Sequence, residues 1–493
     1  MPRAKVKAED AGGDASVAMK LFAGAALFVL ALAVGSYHFL GAGLSPQRRG
    51  DRANAMGSEP SVLSLQNDVD KAFSEWPKTA MVDADTSLVG LVKHEGVGFA
   101  LQAQSSVKGN RTLISVPYAS CLSVGHAVDD KKLGPALLAL KDKVNDIVKD
   151  SPKSSGFEGF ALLSFILQQQ HLGSDSFWSP WFKAAVPNRF DNDLYWSYAV
   201  GKNCLHQVGK TSWERSLRHF GIVLKSITMA ASESPAYSAA TGVVPSGGTL
   251  TEADKDRVRW ALSVMRTRGW DRAAPVHMLV VPLFDLVDLR VGVNRSSVTA
   301  ASKEINAATV FDDDSGRVHL VSVEDKLQRK GTYVTTSYSN PRMLQDSMRL
   351  YGFVDKEAAK FLSYAEYKIE ELAEKEPGFK QLPRHCLSSR ALFFDLRTGE
   401  PSSVLKECFR AGAGDGAKGR SLLLDHIKVV LSSLHTEKLL QQCVKVAETK
   451  VDPSSKDYRT IAPHGASGLV EQETLLRAGF QRALVHVGDL TSL

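Results

Sequence analysis

The longest uninterrupted apolar stretch of the chain lies near its N terminus. It reads LFAGAALFVLALAVG from Leu21 and continues as SYHFLGAGL to Leu44, and no Asp, Glu, Lys or Arg occurs between Lys20 and Arg48. A helix needs about 20 mainly apolar residues to cross a bilayer core. The pattern predicts a transmembrane anchor at residues 20–44. A cleaved targeting peptide is the alternative, because the most apolar part is close to the upper length of a signal-peptide core, about 15 residues.

Charged segments flank this stretch on both sides. Residues 1–19 form a predicted N-terminal tail, and the following SPQRRGDRANAMGSEP has the composition of a flexible tether. Basic residues precede and follow the apolar stretch in nearly equal number, so the positive-inside rule leaves the orientation open. A helix is predicted from Val62 to about Trp76, where Pro77 would end it. Residues 45–75 are therefore a predicted linker and helix.

The pattern changes twice in the next part of the chain. Residues 87–124 contain short β-type runs (SLVGLV, GVGFALQA and RTLISVPY) separated by glycines, which are typical of a small antiparallel β unit. From about 129 to 225 the apolar spacing becomes helical, with ALLSFILQQQ at 161–170 as a clear run. Residues 231–250 combine small residues and prolines with almost no charge, and they predict a loop.

A further helix is predicted after that loop. Thr249 and Glu252 can form a capping box at its start. Its apolar face is predicted to consist of Val258, Ala261, Leu262 and Met265. Strands are predicted again at 276–283, 317–323 and 332–337. After Tyr351 the pattern is mainly helical, so the chain has an α+β arrangement with an inserted helical subdomain and a helical C-terminal region.

Composition excludes some function classes without selecting one. Of 493 residues, 44% are hydrophobic and 23% charged, and 60 basic against 54 acidic residues give a net charge of +6. No long Lys/Arg block occurs, so a mixed solvated surface fits better than a nucleic-acid-binding surface. The cysteines are Cys121, Cys204, Cys386, Cys408 and Cys443. Their scattered positions lack metal-ligand spacing and predict buried, reduced thiols instead of a metal site or a disulfide framework.

Five segments between Leu88 and Asp355 share the order and spacing of one known family. They are GVGFALQAQSSVKGNRTLISVPYASCLS (96–123), LLSFILQQQHLGSDSFWSPWFKAAVP (162–187), WALSVMRTRGW (260–270), LVVPLFDLVDL (279–289) and GTYVTTSYSN…RLYGFVD (331–355). Together they resemble the SET-domain family whose members methylate Rubisco, ribosomal proteins and actin. The resemblance implies a SET domain at 76–355 with a helical insert at about 126–258. It also implies a helical Rubisco-methyltransferase-type substrate-binding domain at 356–493.

The resemblance implies S-adenosylmethionine as cofactor and assigns residues to its site. Gly96, Gly98 and Phe99 match the first cofactor loop, where glycine lets the backbone approach a ligand closely. Arg268 matches an arginine that can hold the cofactor carboxylate with two parallel hydrogen bonds. Tyr338 matches the channel tyrosine that orients the incoming amine, so it is the candidate catalytic residue. From local sequence alone, Gly96 and Gly98 are also compatible with a plain β-turn. Arg268 is compatible with an exposed arginine, and Tyr338 with a tyrosine that faces the core.

Two positions depart from the family pattern. The family's Asn-His pair reads Asp288-Leu289 here. Asp288 would repel the cofactor carboxylate, whereas Leu289 can still contact adenine through its backbone. A helix glutamate of the family is replaced by Gln169. Two functions follow from the resemblance: a membrane-tethered protein methyltransferase acting on lysine or histidine, or an inactive SET pseudoenzyme that serves as a structural subunit of a membrane complex.

These assignments make one geometric and one topological prediction. Gly96, Gly98, Arg268, Asp288 and Tyr338 should converge in the folded chain, although they are spread over its sequence. A SET enzyme needs S-adenosylmethionine and unmodified substrates, which favours the cytosol, mitochondrial matrix or plastid stroma for the soluble domain. The patterns Asn110-Arg-Thr and Asn294-Arg-Ser fit the N-glycosylation acceptor, and in such a compartment neither asparagine is expected to carry a glycan.

Overall fold

Short strands, paired mainly in antiparallel fashion, form the β-rich part of the molecule. The computed structural model describes residues 68–94, 98–149, 156–190, 192–196, 207–271, 278–286, 288–290, 306–323, 329–337, 361–363, 372, 376–383, 386, 392–434 and 463–492. The strands before the helical region are β1 (Asp83–Ala84), β2 (Val89–His94), β3 (Gly98–Ala103), β4 (Thr112–Pro117) and β5 (Leu122–Ser123). The strands that follow it are β6 (Gly269–Asp271), β7 (Met278–Val280), β8 (Asp288–Arg290), β9 (Ala307–Asp312), β10 (Arg317–Ser322) and β11 (Thr335–Ser337).

A six-stranded sheet joins the two β blocks, in the order β1-β4-β10-β9-β11-β8. β10 pairs antiparallel with β4 and β9, whereas β11 runs parallel to both β9 and β8. Along β10, Val318 and Leu320 are buried while Arg317 and His319 are partly exposed, which is the period of two of a half-buried strand. β2 and β3 form a hairpin, and β5, β7 and β6 form a three-stranded sheet. The predicted strands near 87–124, 276–283, 317–323 and 332–337 are confirmed; β6, β8 and β9 were not predicted.

Helices fill the chain between β5 and β6. They are α2 (Val124–Asp129), α3 (Gly134–Val148), α4 (Gly156–Leu172), α5 (Ser179–Ala184), α6 (Gln207–Glu233), α7 (Pro235–Thr241) and α8 (Glu252–Arg268). α4 lies at their centre, because nearly every side chain from Phe157 to Gln169 is buried. A helix that is covered on all sides needs apolar residues all round, which explains the continuous run ALLSFILQQQ. The predicted helical region from 129 to 225 is confirmed for its described residues.

The predicted loop at 231–250 is wrong in its first part. α6 continues to Glu233 and α7 follows at once. The Ser234 hydroxyl accepts a hydrogen bond from the backbone N–H of Tyr237 at 3.1 Å, and Pro235 occupies the first turn. A serine N-cap followed by proline is a strong helix start, so capping chemistry outweighs the loop-like composition.

The start of α8 differs from the prediction by two residues. Thr251, and not Thr249, is the N-cap, and its hydroxyl accepts from the backbone N–H of Asp254 at 3.1 Å. The acidic residue of the cap is therefore Asp254 instead of Glu252. The four apolar positions predicted for this helix, Val258, Ala261, Leu262 and Met265, are all buried.

Two further helix predictions need correction. The N-terminal helix α1 (Asp68–Thr79) continues through Pro77, because near the end of a helix a missing N–H removes a single hydrogen bond. The segment DKEAAKFLSYAEYKIEELAEK, predicted to be helical, contains β12 (Phe361–Ser363), which pairs antiparallel with β13 (Phe393–Asp395). Pairing with a partner strand distant in sequence overrides the helical pattern of these three residues.

A second hydrophobic core lies in the C-terminal region. It involves α9 (Ser403–Ala413), α10 (Gly416–Ser433) and α11 (Pro463–Asp489). Cys386 and Cys408 form a disulfide within it, with a Cα–Cα distance of 5.6 Å. The prediction that the cysteines are reduced is wrong for this pair, because the fold brings two scattered residues together. Cys121 is free and buried as expected, and Cys204 and Cys443 lie outside the described residues.

Removing this disulfide is expected to destabilise the C-terminal core. The bond closes a loop with a sequence separation of 22, and restricting such a loop in the unfolded chain is worth about 3 kcal/mol. Thermal unfolding of the Cys386→Ala/Cys408→Ala variant should show this loss, and a reductant should then have no further effect. Cys121→Ala is the control, since it removes a buried thiol without a cross-link. Equal reductant sensitivity in the wild type and the double variant would contradict the assignment.

The predicted membrane anchor stays a prediction, because residues 20–44 lie outside the described part of the chain. Among the helices within the described ranges, none combines the length and apolar character needed to cross a bilayer.

Candidate functional site

The C-terminal end of α8 carries the arginine predicted to bind cofactor. Arg268 is the last residue of this helix, and its Nε donates to a carboxylate oxygen of Asp285 at 3.0 Å. Both side chains are largely buried, with 14% of the Arg268 side chain and 4% of the Asp285 side chain exposed. Gly269 follows directly, and a Cβ at this position would collide with the Met265 carbonyl. Glycine here allows the chain to pass from helix into strand β6.

Neighbouring side chains fix this ion pair in one orientation. The indole N–H of Trp181 donates to the other oxygen of Asp285 at 3.1 Å. Arg268 Nη1 donates to the Thr267 hydroxyl at 2.9 Å, and the guanidinium carbon lies 5.1 Å from the centre of the Phe190 ring. Nε and Nη1 are thus engaged, while no bond to a described residue uses Nη2. Nη2 is therefore the group through which the guanidinium could hold an anion.

Burial raises the pKa of Asp285 above its ordinary value. The charge of Arg268 and the hydrogen bonds from Trp181 and Arg268 oppose this effect. A carboxylate removed from water is costly unless it is paired and hydrogen-bonded. The two side chains consequently depend on each other, and Arg268 anchors the ionised form of Asp285.

The backbone before Asp285 is strained. Leu283 has a φ of +73°, a left-handed conformation that costs a non-glycine residue of order 1 kcal/mol or more. It leads into the 3-10 turn Phe284–Leu286, which carries Asp285. Such strain concentrates at functional sites, where the surrounding structure holds the chain in an unfavourable conformation.

Two strands that carry predicted site residues, β3 and β8, belong to the same region. β3, which begins at Gly98, lies beside the turn that carries Asp285. β8 begins at Asp288 and pairs in parallel with β11, so that Leu289 is opposite Thr336. Gln102 of β3 forms a bridge with Tyr333, two residues before β11 begins. The elements bearing Gly98, Arg268, Asp288 and Leu289 are therefore neighbours.

Other predicted site residues are placed only in part. Gly96 and Tyr338 lie outside the described residues, although Tyr338 directly follows β11 in the sequence. For Asp288 and Leu289 the backbone is described, but not the side chains. The complete convergence of the predicted set accordingly stays a prediction.

Phe99 packs against α1. Its ring centre is 5.0 Å from that of Phe73 and 5.6 Å from the Lys93 ammonium. Lys93 in turn forms an ion pair with Asp70 of α1 at 2.5 Å. The described contacts of the Phe99 ring thus anchor β3 to α1, and any contact of this residue with a cofactor would come through its backbone.

Gln169, which replaces a family glutamate, is buried and hydrogen-bonded. Its amide oxygen accepts from the Ser176 hydroxyl at 2.9 Å, and its amide nitrogen donates to Gln168 at 3.4 Å. Gln168 donates to Asp130 at 3.0 Å. A neutral amide satisfies this network without burying a second carboxylate near Asp130, so glutamine is structurally compatible with the position.

Asp285 and Trp181 are site residues that sequence reasoning missed. Asp285 was visible as the first aspartate of LVVPLFDLVDL, and Trp181 as the second tryptophan of SFWSPWF. Their meeting across a sequence separation of 104 residues is a tertiary contact that no local pattern predicts.

Fold and site together define a mixed α/β architecture of the SET type, with helices inserted between two β blocks. The chain is similar to the SET domain of LSMT bound to lysine and AdoHcy, with a TM-score of 0.54 and 14% identity over 85% of this chain and 92% of that one. For the SET domain of LSMT bound to MeLysine and AdoHcy, the TM-score is 0.54 and the identity is 15%, over 87% of this chain and 94% of that one. For Rubisco LSMT bound to sinefungin and monomethyllysine, the TM-score is 0.52 and the identity is 14%, over 86% of this chain and 94% of that one. No protein-family model and no curated protein matches.

These structural likenesses confirm the SET-type part of the predicted fold, while the transmembrane anchor and the C-terminal substrate-binding domain stay predictions. At 14–15% identity they do not by themselves carry a function to this chain, because one fold can support different activities.

Proposed function

We propose that this protein is an S-adenosylmethionine-dependent protein N-methyltransferase that modifies lysine or, as a second choice, histidine. The observation that carries the proposal is the buried Arg268–Asp285 pair at the end of α8, beside the strands that bear Gly98 and Asp288. The structures that share this fold contain AdoHcy or sinefungin, which supports the same cofactor class here.

The described residues fit such a cofactor at one end. Arg268 is held by Asp285 and Thr267, with Nη2 left to receive a carboxylate. The guanidinium is charged at any physiological pH, and partial burial strengthens its attraction for an anion. The glycine at the start of β3 has no side chain that would block close approach of a ligand.

The reaction would depend on alignment and exclusion of water more than on covalent catalysis. When bound, S-adenosylmethionine supplies a methyl group on a sulfonium that a neutral amine can attack. Tyr338, placed by sequence at the end of β11, would orient that amine through its phenol oxygen. The backbone of Leu289 would contact adenine, and the fixed dipoles around the amine would replace solvent.

A second function, an inactive SET pseudoenzyme within a membrane complex, is favoured by one feature of the sequence. Asp288 stands where the family has asparagine, and a carboxylate can neither donate a hydrogen bond nor tolerate a nearby cofactor carboxylate. The Arg268–Asp285 pair would then act as a structural element of the core.

Calorimetric titration of the purified chain with S-adenosylmethionine distinguishes the two functions. An enzyme is expected to bind with a dissociation constant in the micromolar range, typical of an enzyme ligand. Asp314→Asn, which changes an exposed residue in the β9–β10 turn, is the control for altered net charge. Absence of binding at millimolar ligand would refute the methyltransferase proposal and leave the structural function.

Restoring the family's Asn-His pair at positions 288 and 289 tests whether Asp288 limits cofactor binding. The double change Asp288→Asn with Leu289→His removes one repulsion and adds a donor, which is worth about 1–3 kcal/mol, or roughly tenfold or more in affinity. The same titration should show tighter binding, whereas Asp314→Asn should not. Unchanged affinity in the double variant would mean that Asp288 does not limit cofactor binding.

The proposal includes membrane attachment through residues 20–44. It also includes a protein substrate or a membrane-complex partner, whereas nucleic acid is not a proposed partner.

The sequence favours the cytosol, matrix or stroma for the soluble domain. The Cys386–Cys408 bond argues against these locations, because disulfides persist mainly in oxidising compartments. Asn110 is exposed, so a glycan there would be sterically possible. Mass analysis of the native protein after glycosidase treatment and after thiol alkylation tests both points.

A further inference from the structure

A cavity of about 430 Å³ lies between the end of α4, α5 and the first half of α8. Small-molecule sites in proteins are typically about 300–1,000 Å³ in volume, so this cavity is large enough for a small organic ligand. The chemistry of its lining decides which class of ligand fits, and its position decides what that ligand influences.

Most charged groups of the lining are already engaged within the protein. Arg257 forms an ion pair with Asp254 at 3.6 Å, and Arg259 forms one with Asp256. Arg189 makes a cation–π contact and has a further interaction within the chain. These groups therefore leave little net charge for a ligand to neutralise.

Lys183 is the one remaining cation among the described residues of the lining. It is exposed on α5, where solvent and salt screen its charge. Gln169, a buried amide that also lines the cavity, adds no charge. A charged ligand would leave water without a buried counter-ion, so the lining favours a neutral one.

Aromatic rings supply flat walls to this cavity. Phe182, Tyr195 and Trp260 line it, and the ring centres of Phe182 and Trp260 are 5.4 Å apart. The indole N–H of Trp260 donates to the Pro187 carbonyl at 2.9 Å, so this polar group is already satisfied. Flat apolar surfaces of this kind favour a planar ring in the ligand.

Two side-chain amides supply uncharged polar groups. The amide oxygen of Gln170 accepts from Arg257 Nε at 3.3 Å, and no bond to a described residue uses its amide nitrogen. Asn188 is exposed, and its side-chain amide likewise bonds to no described residue. Both line the cavity. Together they offer donors and an acceptor to a neutral hydrogen-bonding group.

The cavity reaches the candidate cofactor site through consecutive residues of α5. Phe182 lines the cavity, while the indole N–H of Trp181 donates to Asp285 at 3.1 Å. The two rings are in contact, with centres 4.9 Å apart. A ligand that packs on Phe182 therefore stabilises the position of α5 in which Trp181 holds Asp285.

A second pair of consecutive residues makes the same connection. Arg189 lines the cavity, while the ring centre of Phe190 lies 5.1 Å from the guanidinium carbon of Arg268. Residues 181–190 thus form a wall that the cavity shares with the candidate cofactor site.

We propose that this cavity binds a neutral planar aromatic molecule with an amide or a similar hydrogen-bonding group, and that residues 181–190 couple its occupation to the Arg268–Asp285 pair. The ring packs on the three aromatic side chains, and the polar group bonds to the two amides. Binding does not depend on methyl transfer, since an inactive SET protein would keep the same cavity. An effect on cofactor affinity rests on the proposed function.

Calorimetric titration of the full-length protein with indole-3-acetamide tests the ligand class. Indole-3-acetate and tryptamine carry the same ring with a negative or a positive charge. The neutral amide should bind more tightly than tryptamine and within about fivefold of the acetate, because one exposed lysine adds little. A larger preference for the acetate would define an anion site, and no binding of the amide at about 2 mM would remove the site. Either result overturns the proposal.

Matched variants locate the binding. Phe182→Leu removes one ring of the wall and should weaken indole-3-acetamide by about fivefold. Phe177→Leu makes the same change at a 39% exposed position outside the lining and should leave the affinity unchanged. Lys183→Gln should also leave it unchanged, since the probe is neutral. Equal losses in the two phenylalanine variants, or a loss of about fivefold in Lys183→Gln, would refute the site.

Amide hydrogen exchange measures the coupling without a cofactor. In the turn that carries Asp285, the Leu286 amide donates to the Leu283 carbonyl at 3.1 Å. Saturating indole-3-acetamide should slow exchange there more than in β10, which belongs to the same core but not to the wall. Equal slowing in both segments would reflect overall stabilisation alone and would refute the coupling.

The same probe links the cavity to cofactor affinity. Saturating indole-3-acetamide should tighten binding of S-adenosylhomocysteine by about threefold, and S-adenosylhomocysteine should tighten binding of the probe by the same factor. Unchanged affinities would refute the coupling, and full competition would place the probe in the cofactor site and overturn the proposal. No binding of S-adenosylhomocysteine at all would refute the proposed function alone, because probe binding and exchange still test the cavity.

Discussion

Arg268→Ala is expected to destabilise the fold by about 3–5 kcal/mol at neutral pH, because it leaves a buried carboxylate without its cation. Asp285 would keep only the Trp181 indole as a described side-chain donor. Urea unfolding followed by tryptophan fluorescence measures the loss directly, since Trp181 and Trp260 belong to the affected core. The same variant should also lose cofactor binding if the proposed function is correct.

The loss should depend on pH in a defined direction. Burial already raises the pKa of Asp285 above the value in the unfolded chain, and removal of Arg268 takes away an influence that lowers it. When the folded pKa is the higher one, the native state binds the proton more tightly, so the penalty begins as the pH rises above the unfolded pKa and is complete above the folded pKa. The deficit of Arg268→Ala should therefore shrink as the pH falls through the folded pKa toward the unfolded value of about 4.

Two matched variants separate charge from packing. Arg268→Ala with Asp285→Asn removes both charges and should recover much of the lost stability, because no unpaired ion remains buried. Arg268→Lys keeps a cation but loses the planar fork, so it should retain more stability than alanine while weakening cofactor binding. A deficit below about 1 kcal/mol for Arg268→Ala, or one that does not change with pH, would contradict the role assigned to the pair.

The positions that sequence predicted well are those where local pattern and tertiary structure agree. The β-type runs at 87–124 become strands because their glycines and β-branched residues suit short antiparallel pairs. The four apolar positions predicted for α8 are buried, since their spacing in the sequence is that of one helix face. In both cases the burial of one face determines the type of element, whereas the Thr251 cap determines where α8 begins.

The positions that sequence missed depend on contacts between distant residues. Asp285 and Arg268 are only 17 residues apart, but two strands and a strained turn separate them, so no helical or strand spacing predicts their ion pair. The Cys386–Cys408 disulfide joins a turn to a helix. The scattered positions of the cysteines in the sequence did not predict this bond. The loop expected at 231–250 failed for a local reason, because Ser234 and Pro235 start a helix inside a low-charge segment.

A final large effect is expected in acid, in the C-terminal core. His426 of α10 is 6% exposed, and burial lowers its pKa from 6.5 to about 3. The native state thus keeps this imidazole neutral, while the unfolded chain takes up a proton below about pH 6.5. Stability is fully present above that pH and is lost as the pH falls toward 3, by about 4–5 kcal/mol in all.

Amide hydrogen exchange of α10 between pH 7 and pH 4 measures this loss, after correction for the intrinsic rates. His426→Leu replaces the imidazole with an apolar side chain of similar size and should remove most of the pH dependence, since nothing at this position then titrates. His171→Leu, at an exposed position of α4, should leave it unchanged. Because domains are commonly stable by only about 5–15 kcal/mol, wild-type α10 should approach local unfolding well before pH 3. Protection that stays constant over this range would show that His426 already carries a proton in the native state.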